Sequence, residues 1–336
     1  MKKTGAAIIG CGSIFPVHAD AIKKMEQVQL LMVADIDESK VQAAAEKYGC
    51  VAATDYTDIL KNPDVKAVHL CTPHYLHAPM AKALMQAGKH VLTEKPMGLN
   101  LKECCELNEI SRQTGCRLGV CLQNRYHATT LKIKEILESG KLGRVLGARA
   151  FVTWWRDRDY YLKSSWRGTW EKEGGSLLMN QTVHTLDLLQ WLLGDLENVK
   201  GTIATHHLSD LIETEDTAEA VLQFRSGARA LFYASNAYVS NAPVFLEISC
   251  EQGTMVLNGE LTVSCQDGGQ EVFSDVPPTG YKSYWGTGHK NLIQDFYDCL
   301  SKGVPFPVNG DEGTKVIGII EKIYGMNRSN PFQKLG

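Results

Sequence analysis

The sequence predicts an α/β chain built in two parts: a parallel sheet covered by helices, then an α+β domain with a large, mainly antiparallel sheet. Two observations predict this. Over the first 120 residues, short apolar runs without polar alternation take turns with helical segments, the pattern of strands buried on both faces. From Val199 to Asp275 at least six strand-like segments follow one another with turn residues between them, such as Ser226-Gly227 and Asp267-Gly268-Gly269. Adjacent strands without intervening helices imply antiparallel pairing.

Each element has its own warrant. Gly5–Ile9 reads as strand one, and Pro16–Met25 as a helix with Pro16 in its first turn, where a missing N–H costs nothing. Gln29–Ala34 is strand two, and Glu38–Tyr48 a helix ended by Gly49. Asp55–Leu60 is a short helix, Ala67–Cys71 an apolar strand, and Leu76–Gln86 a helix stopped by Gly88. Lys89–Thr93, Leu101–Thr114 and Arg117–Cys121 continue as strand, helix and strand. The pattern then changes, so the domains are expected at 1–122 and 123–336. A helix over Ala128–Glu138 closes at Gly140, a β-rich stretch runs from Arg144 to about Asp157, and Leu178–Leu193 is an apolar helix ending at Gly194. Gly288–Lys302 and Asp311–Tyr324 are the closing helices.

Composition excludes several function classes. The 336 residues are 44% hydrophobic and 22% charged, with a net charge of −3 and no basic stripe, so neither nucleic acid nor an anionic membrane is an expected partner. No apolar run reaches the length of a membrane helix. Met1-Lys2-Lys3-Thr4 leads straight into a strand, unlike a signal peptide. Ten cysteines occur without a Cys-x-x-Cys pair, and His206-His207 has no partner at ligand spacing, so reduced thiols in a cytoplasmic protein and no metal are expected.

The chemistry-bearing motifs sit at predicted strand ends. Gly10-Cys11-Gly12-Ser13-Ile14 follows strand one and precedes a helix. The first glycine permits the tight turn, the second lets a pyrophosphate approach the backbone, and the helix N-terminus meets its charge. Asp35 closes strand two where a carboxylate bonds the adenine-side ribose, although it also stands where a helix cap before Glu38 would. Cys71-Thr72-Pro73 and Thr93-Glu94-Lys95-Pro96 end later strands and are expected on the same rim, with the proline fixing the turn that carries Lys95. Together they suggest a dinucleotide with a lysine beside its reactive end. In the second part, Asn180, His184 and Asp187 follow Gly174-Gly175-Ser176 at i, i+4 and i+7, one helical face. Two readings stand there: a buried His184 donating to Asp187, or Asp187 orienting His184 as a general base.

These blocks resemble the glucose–fructose oxidoreductase / inositol dehydrogenase family (Gfo/Idh/MocA). The resemblance runs through Gly10-Cys11-Gly12, Cys71-Thr72-Pro73 with His77, Gly88-Lys89-His90-Val91-Leu92-x-Glu94-Lys95-Pro96, His184-x-x-Asp187 and, near the end, Gly288-His289 and Asp295-Phe296-Tyr297. It implies a Rossmann domain, an α/β partner domain whose open sheet forms homodimers or homotetramers, and NAD(P)-dependent oxidation of a sugar or polyol hydroxyl. Lys95 and His184 become the catalytic pair, with Lys95 donating to the reacting hydroxyl and His184 taking its proton. Gly10, Gly12, Ser13, Ile14, Asp35, Thr72, Pro73, His77, Glu94, Lys95 and Gln123 would hold NAD, with NADP disfavoured by Asp35. Tyr126, Arg167, Trp170, Asn180 and Asp187 would line the sugar site, and Arg125 would bridge cofactor and substrate or form a domain-interface ion pair.

Three positions depart from the family pattern: Phe15 for a small residue, His74 for asparagine, and Asn180 for the aspartate of inositol dehydrogenase-like members. Met179-Asn180-Gln181 with Trp166-Arg167-Gly168-Thr169-Trp170 is more similar to the branch acting on hexose derivatives, including sugar-nucleotide and glycoside 3-dehydrogenases. A glycosidase that oxidises its sugar transiently with recycled NAD, and a non-catalytic NAD-binding sugar sensor, are the alternatives.

Overall fold

The structure, a computed structural model, describes residues 3–275 and 287–327. The chain forms two compact units, one of residues 1–123 with 288–314 and the other of 124–287 with 315–336. The expected second domain, 123–336, therefore includes stretches at 276–286 and 328–336 that lie outside the described residues.

In the first unit six strands form one parallel sheet. They are β1 (Thr4–Ile9), β2 (Val28–Ala34), β3 (Val51–Ala53), β4 (Val65–Leu70), β5 (His90–Thr93) and β6 (Leu118–Val120), in the order β3-β2-β1-β4-β5-β6. Helices α1 (Phe15–Lys23), α2 (Glu38–Tyr48), α3 (Thr57–Lys61), α4 (His74–Gln86) and α5 (Leu101–Thr114) connect them. This is the doubly wound order whose topological switch lies between the first and fourth strands. Strand β1 is buried from Gly5 onward, as a strand covered on both faces must be. Local signals set the helix ends. Asp37 and Asn100 cap α2 and α5 by accepting N–H bonds from Lys40 and Glu103, and Gly49 and Gly115 close them in the left-handed region. Lys89 is buried at the foot of β5, where its ammonium donates to the carbonyls of Asn62 (2.6 Å) and Val65 (3.0 Å). That accounts for a lysine inside an apolar block.

Helix α9 (Gly288–Lys302) packs on α1 in this unit, and Val120 N–H donates to Val308 O beside β6. Phe15 fills the first position of α1 with a ring 4% exposed and edge-on to Tyr48 at 5.5 Å. The small residue of the usual fingerprint is thus replaced by a core side chain packed towards α2.

The second unit carries α6 (Ala128–Ser139), β7 (Val145–Thr153), α7 (Arg158–Leu162), α8 (Val183–Leu193) and strands β8 (Leu196–Ala204), β9 (Thr217–Phe224), β10 (Arg229–Ser235), β11 (Phe245–Cys250), β12 (Gly253–Asn258), β13 (Glu260–Cys265) and β14 (Gln270–Phe273). The last helix, α10 (Gly310–Asn327), begins with the first unit and ends with the second. The eight strands form one sheet, β14-β13-β12-β11-β7-β10-β9-β8, antiparallel except where β7 pairs with β10. Burial alternates along it: Ala218, Ala220, Leu222 and Phe224 lie on the covered face of β9 while Glu219 and Gln223 are exposed.

The expected continuous helix over Leu178–Leu193 is corrected. Residues Leu177–Gln181 form a π-helical turn, and α8 starts only at Val183. Both the N–H and the hydroxyl of Thr182 donate to Leu177 O, at 2.9 and 3.1 Å, which widens the turn to an i→i+5 bond. Asn180 therefore precedes the break and does not share one regular helical face with His184 and Asp187.

Candidate active site

The first unit presents a cofactor cradle at its switch point. Gly10 has φ of 97°, and a Cβ there would lie 2.5 Å from Cys71 O, so the turn after β1 needs glycine for backbone reasons. Gly12 differs: a Cβ there would meet no protein atom within 4 Å. Packing does not demand glycine at that point, but close approach of a pyrophosphate does. Ser13 is exposed, Ile14 is the N-cap of α1 and supplies no side-chain bond, and the first turn of that helix holds no acidic residue. Its amides and positive end suit a phosphate.

Asp35, at the end of β2, accepts N–H bonds from Cys11 (2.6 Å) and Asp37 (2.9 Å). These bonds aim its carboxylate over the glycine turn. Burial and the Asp35 charge push the Cys11 thiol up to about 12, so it is a neutral wall of the cradle. Lys40 is held by Asp37 at 2.9 Å, and Ile36 is 95% exposed. On the rim after β4, Thr72 has a buried hydroxyl without a hydrogen-bond partner among the described residues. Pro73 is the N-cap of α4. A buried orphan hydroxyl, an open glycine and a carboxylate at the ribose position fit a nicotinamide dinucleotide.

His77 joins two motifs. Its ring nitrogens lie 2.7 Å from Pro96 O and 2.8 Å from Thr72 O, and it is buried. Burial lowers its pKa, so the neutral ring donates to one carbonyl at a time. His77 thus ties the turn carrying Lys95 to the turn carrying Thr72.

Glu94 is the centre of a buried network that the sequence did not disclose. Its Oε1 lies 3.0 Å from His18 Nε2 and 3.2 Å from His289 Nε2. His18 Nδ1 is 2.8 Å from His69 Nδ1, and His69 Nε2 is 2.9 Å from the Tyr297 hydroxyl. One proton arrangement satisfies the chain. The Tyr297 hydroxyl donates to His69, His69 Nδ1–H to His18, and His18 Nε2–H to Glu94, which also accepts from His289. Burial would raise the Glu94 pKa, but the histidine bonds outweigh it and hold the carboxyl well below its usual range. Burial lowers His18 and takes His69 well below the ordinary imidazole value. The network is therefore an anion beside the neutral rings of His18 and His69. The pattern cue was two histidines in apolar helices, Val17-His18-Ala19 and Gly288-His289.

In the second unit Asp187 is fully buried and bound by Arg125, with Oδ2 2.8 Å from Nε and Oδ1 2.6 Å from an Nη. Arg125 also stacks over the Trp191 ring at 5.5 Å. Of the two sequence readings of Asp187, each paired it with His184; the structure brings it to Arg125. Tyr126 lies in the 3-10 turn Gln123–Tyr126, which holds the buried Gln123. His184 sits in the first turn of α8.

Asn180 Nδ2 donates to Glu173 Oε1 (2.6 Å) and reaches Tyr160 Oη at 3.3 Å. Arg167 lies over the Tyr160 ring at 4.3 Å, and its Nε has no hydrogen-bond partner among the described residues. Trp170 is 40% exposed, with its indole N–H on Glu213 O at 2.8 Å. Glu215, completely buried, accepts from Leu178 N–H and from the Tyr324 hydroxyl at 2.8 and 2.7 Å. A Cβ on Gly175 would lie 1.9 Å from that hydroxyl, which explains the glycine just before Ser176.

The comparisons with known proteins agree with this picture. Residues 4–122 match the family described as "Oxidoreductase family, NAD-binding Rossmann fold", and residues 130–256 match "GFO/IDH/MocA C-terminal domain". The WlbA dehydrogenase of Bordetella pertussis, solved with NADH and UDP-GlcNAcA, is 30% identical; the match covers 97% of this chain and 96% of that one, at a TM-score of 0.87. Myo-inositol 2-dehydrogenase of Thermotoga maritima is 26% identical, with 91% of each chain covered. Inositol 2-dehydrogenase of Rhizobium meliloti is 24% identical, with 94% of each covered. The chain belongs to the GFO/IDH/MocA family of oxidoreductases and is an NAD-binding enzyme. Among the described residues, no helix is long and apolar enough to cross a membrane, and none of the ten cysteines forms a disulfide.

The two glycines of the first turn should separate cleanly. Gly10→Ala is expected to cost about 2–4 kcal/mol of stability through a strained φ and a backbone clash. Gly12→Ala should leave the melting temperature near wild type and weaken NAD binding at least roughly tenfold, about 1.4 kcal/mol. Calorimetry and NAD titration of both variants check this. Equal losses of stability would refute it.

Proposed function

We propose that the enzyme oxidises a secondary hydroxyl, at carbon 3, of a sugar, glycoside or sugar nucleotide. The observation that carries this reading is the near full-length likeness, at 30% identity, to a dehydrogenase solved with NADH and a sugar nucleotide. The hexose-derivative pattern Met179-Asn180-Gln181 supports it.

NAD, when bound, supplies the hydride acceptor. Lys95 donates to the reacting hydroxyl and stabilises negative charge developing on its oxygen. His184 takes the hydroxyl proton. Asn180, Arg167, Tyr126 and Trp170 orient the sugar. Asp187 acts through Arg125, which it holds in a buried bidentate pair. The pair leaves Arg125 oriented next to Tyr126.

Screening hexosides, myo-inositol and UDP-linked hexuronic acids for NADH formation tests the reading. Release of an aglycone without net NADH would instead identify the recycling glycosidase, and binding without either would identify a sensor. Lys95→Met and His184→Ala should each abolish turnover while NAD affinity stays within roughly tenfold. A variant that keeps most wild-type kcat would remove that residue from the mechanism.

NAD should be preferred over NADP by on the order of 100-fold, ~2.7 kcal/mol. Asp35 repels a 2′-phosphate, and the nearby Lys40 is already paired with Asp37. Equal dissociation constants for the two cofactors would contradict this.

The second unit's sheet supports a homodimer or homotetramer. On its outer face Phe245, Phe151 and Tyr233 align across β11, β7 and β10, beside Leu231 opposite Val221. Leu231 is 48% exposed, and the Arg149–Glu247 pair at 2.8 Å interrupts the patch with complementary charge. Such a face is stabilised by a second copy. Leu231→Lys should shift the mass measured by light scattering towards the monomer; a monomeric wild type at micromolar concentration would refute the assembly.

A further inference from the structure

A buried carboxylate outside the expected site residues bears on the sugar site. Glu173 is fully buried in the second unit and stands just before Gly174-Gly175. Its Oε2 accepts the Gly168 N–H at 2.5 Å, and its own N–H donates to Thr169 O at 3.0 Å. Its Oε1 accepts from Asn180 Nδ2 at 2.6 Å. Asn180 is half-buried and sits in the π-helical turn.

We propose that Glu173 is a positioning residue of the substrate site, whose carboxylate decides which polar face of the Asn180 amide is offered to the sugar. The proposal rests on the reading above that places Asn180 against the sugar. An ionised carboxylate accepts only, so it turns the amide with Nδ2 inward and the carbonyl oxygen the other way. A proton on Oε1 makes that oxygen a donor. The amide must then turn over, exchanging Oδ1 and Nδ2. Asn180 cannot take a proton itself, so the titratable charge stands behind a neutral amide.

The surroundings make this carboxyl titratable under ordinary conditions. Burial raises its pKa to about 7, against the bonds from Gly168 and Asn180, and Glu215 raises it further while Arg167 lowers it. Tyr160 and Tyr161 from α7 and Tyr324 from α10 also feel its charge, and burial raises all three phenols above their usual range. These phenols stay neutral, so the charges acting on this carboxyl include Glu215 and Arg167, with Arg156 over the Tyr160 ring.

The test has two arms. The first is infrared titration of the NAD-loaded protein labelled with carbon-13 glutamate. A protonated-carboxyl band should titrate near pH 7 and vanish in Glu173→Gln. In Asn180→Ala the midpoint should rise by at least half a pH unit, because a bond that favours the charged form is gone. A Glu173 that is ionised down to pH 5, or a midpoint unmoved in Asn180→Ala, overturns the proposal. This arm needs no turnover, and Asn180→Ala serves if Glu173→Gln fails to fold.

The second arm measures kcat and KM against pH with UDP-GlcNAcA and with myo-inositol. The wild type should show a step in KM at the Glu173 midpoint. Glu173→Gln should lose that step, with KM raised about tenfold and kcat changed less. A variant that keeps the wild-type pH profile overturns the positioning role. A wild type that forms no NADH with any sugar overturns the dehydrogenase reading instead, and the infrared arm then decides Glu173 alone.

Discussion

The carboxylate of Glu94 is the constraint on which the first unit depends. It is an anion placed in a core, and such a charge is tolerated only when hydrogen bonds replace water. His18 from α1 and His289 from α9 supply them, and His69 from β4 and Tyr297 extend the chain. One acidic group thereby fastens the end of β5 to elements far apart in sequence. The adjoining Lys95 leaves from that fixed point, and His77 fastens the next turn to Thr72 O. The lysine's place is thus set by a second layer of buried side chains.

The second unit uses carboxylates in a related manner with a different charge balance. Asp187 is matched by the Arg125 guanidinium, so the pair is neutral as a whole. Glu215 and Glu173 accept amide, hydroxyl and side-chain N–H bonds, and burial raises both. In a matched pair the guanidinium fixes both carboxylate oxygens. A carboxyl pushed up towards neutrality changes its hydrogen-bonding character as it takes a proton. That difference separates a rigid support, Asp187 with Arg125, from a group able to respond to pH.

Much of the first unit was legible from local rules. Apolar runs without alternation gave the parallel strands, and Gly49 and Gly88 marked helix ends within a residue or two. Gly10, Gly12 and Asp35 declared the cradle because backbone conformation and phosphate approach demand those residue types at that spacing. What the sequence concealed depends on contacts between distant segments. Periodicity identifies 288–302 as a helix but not the α1 surface on which it packs. His18, His69 and His289 are separated by 51 and 220 positions, and only the fold brings them to Glu94. The Leu177–Gln181 turn was misread because a π-helical turn preserves an apolar helix pattern while shifting register. His184 and Asp187 keep their spacing within α8, while both oxygens of Asp187 are bound by Arg125 from a turn 62 positions earlier in the chain.

The claim that Glu94 fastens four segments is tested most directly by hydrogen exchange on Glu94→Ala, read segment by segment against the wild type. Removing the acceptor leaves two buried imidazole N–H groups without their partner. Protection should fall together in α1, the ends of β4 and β5, and α9, while β9 to β11 of the second unit keep theirs. Faster exchange confined to residues 90–97, with α1 and α9 as protected as in the wild type, would contradict it.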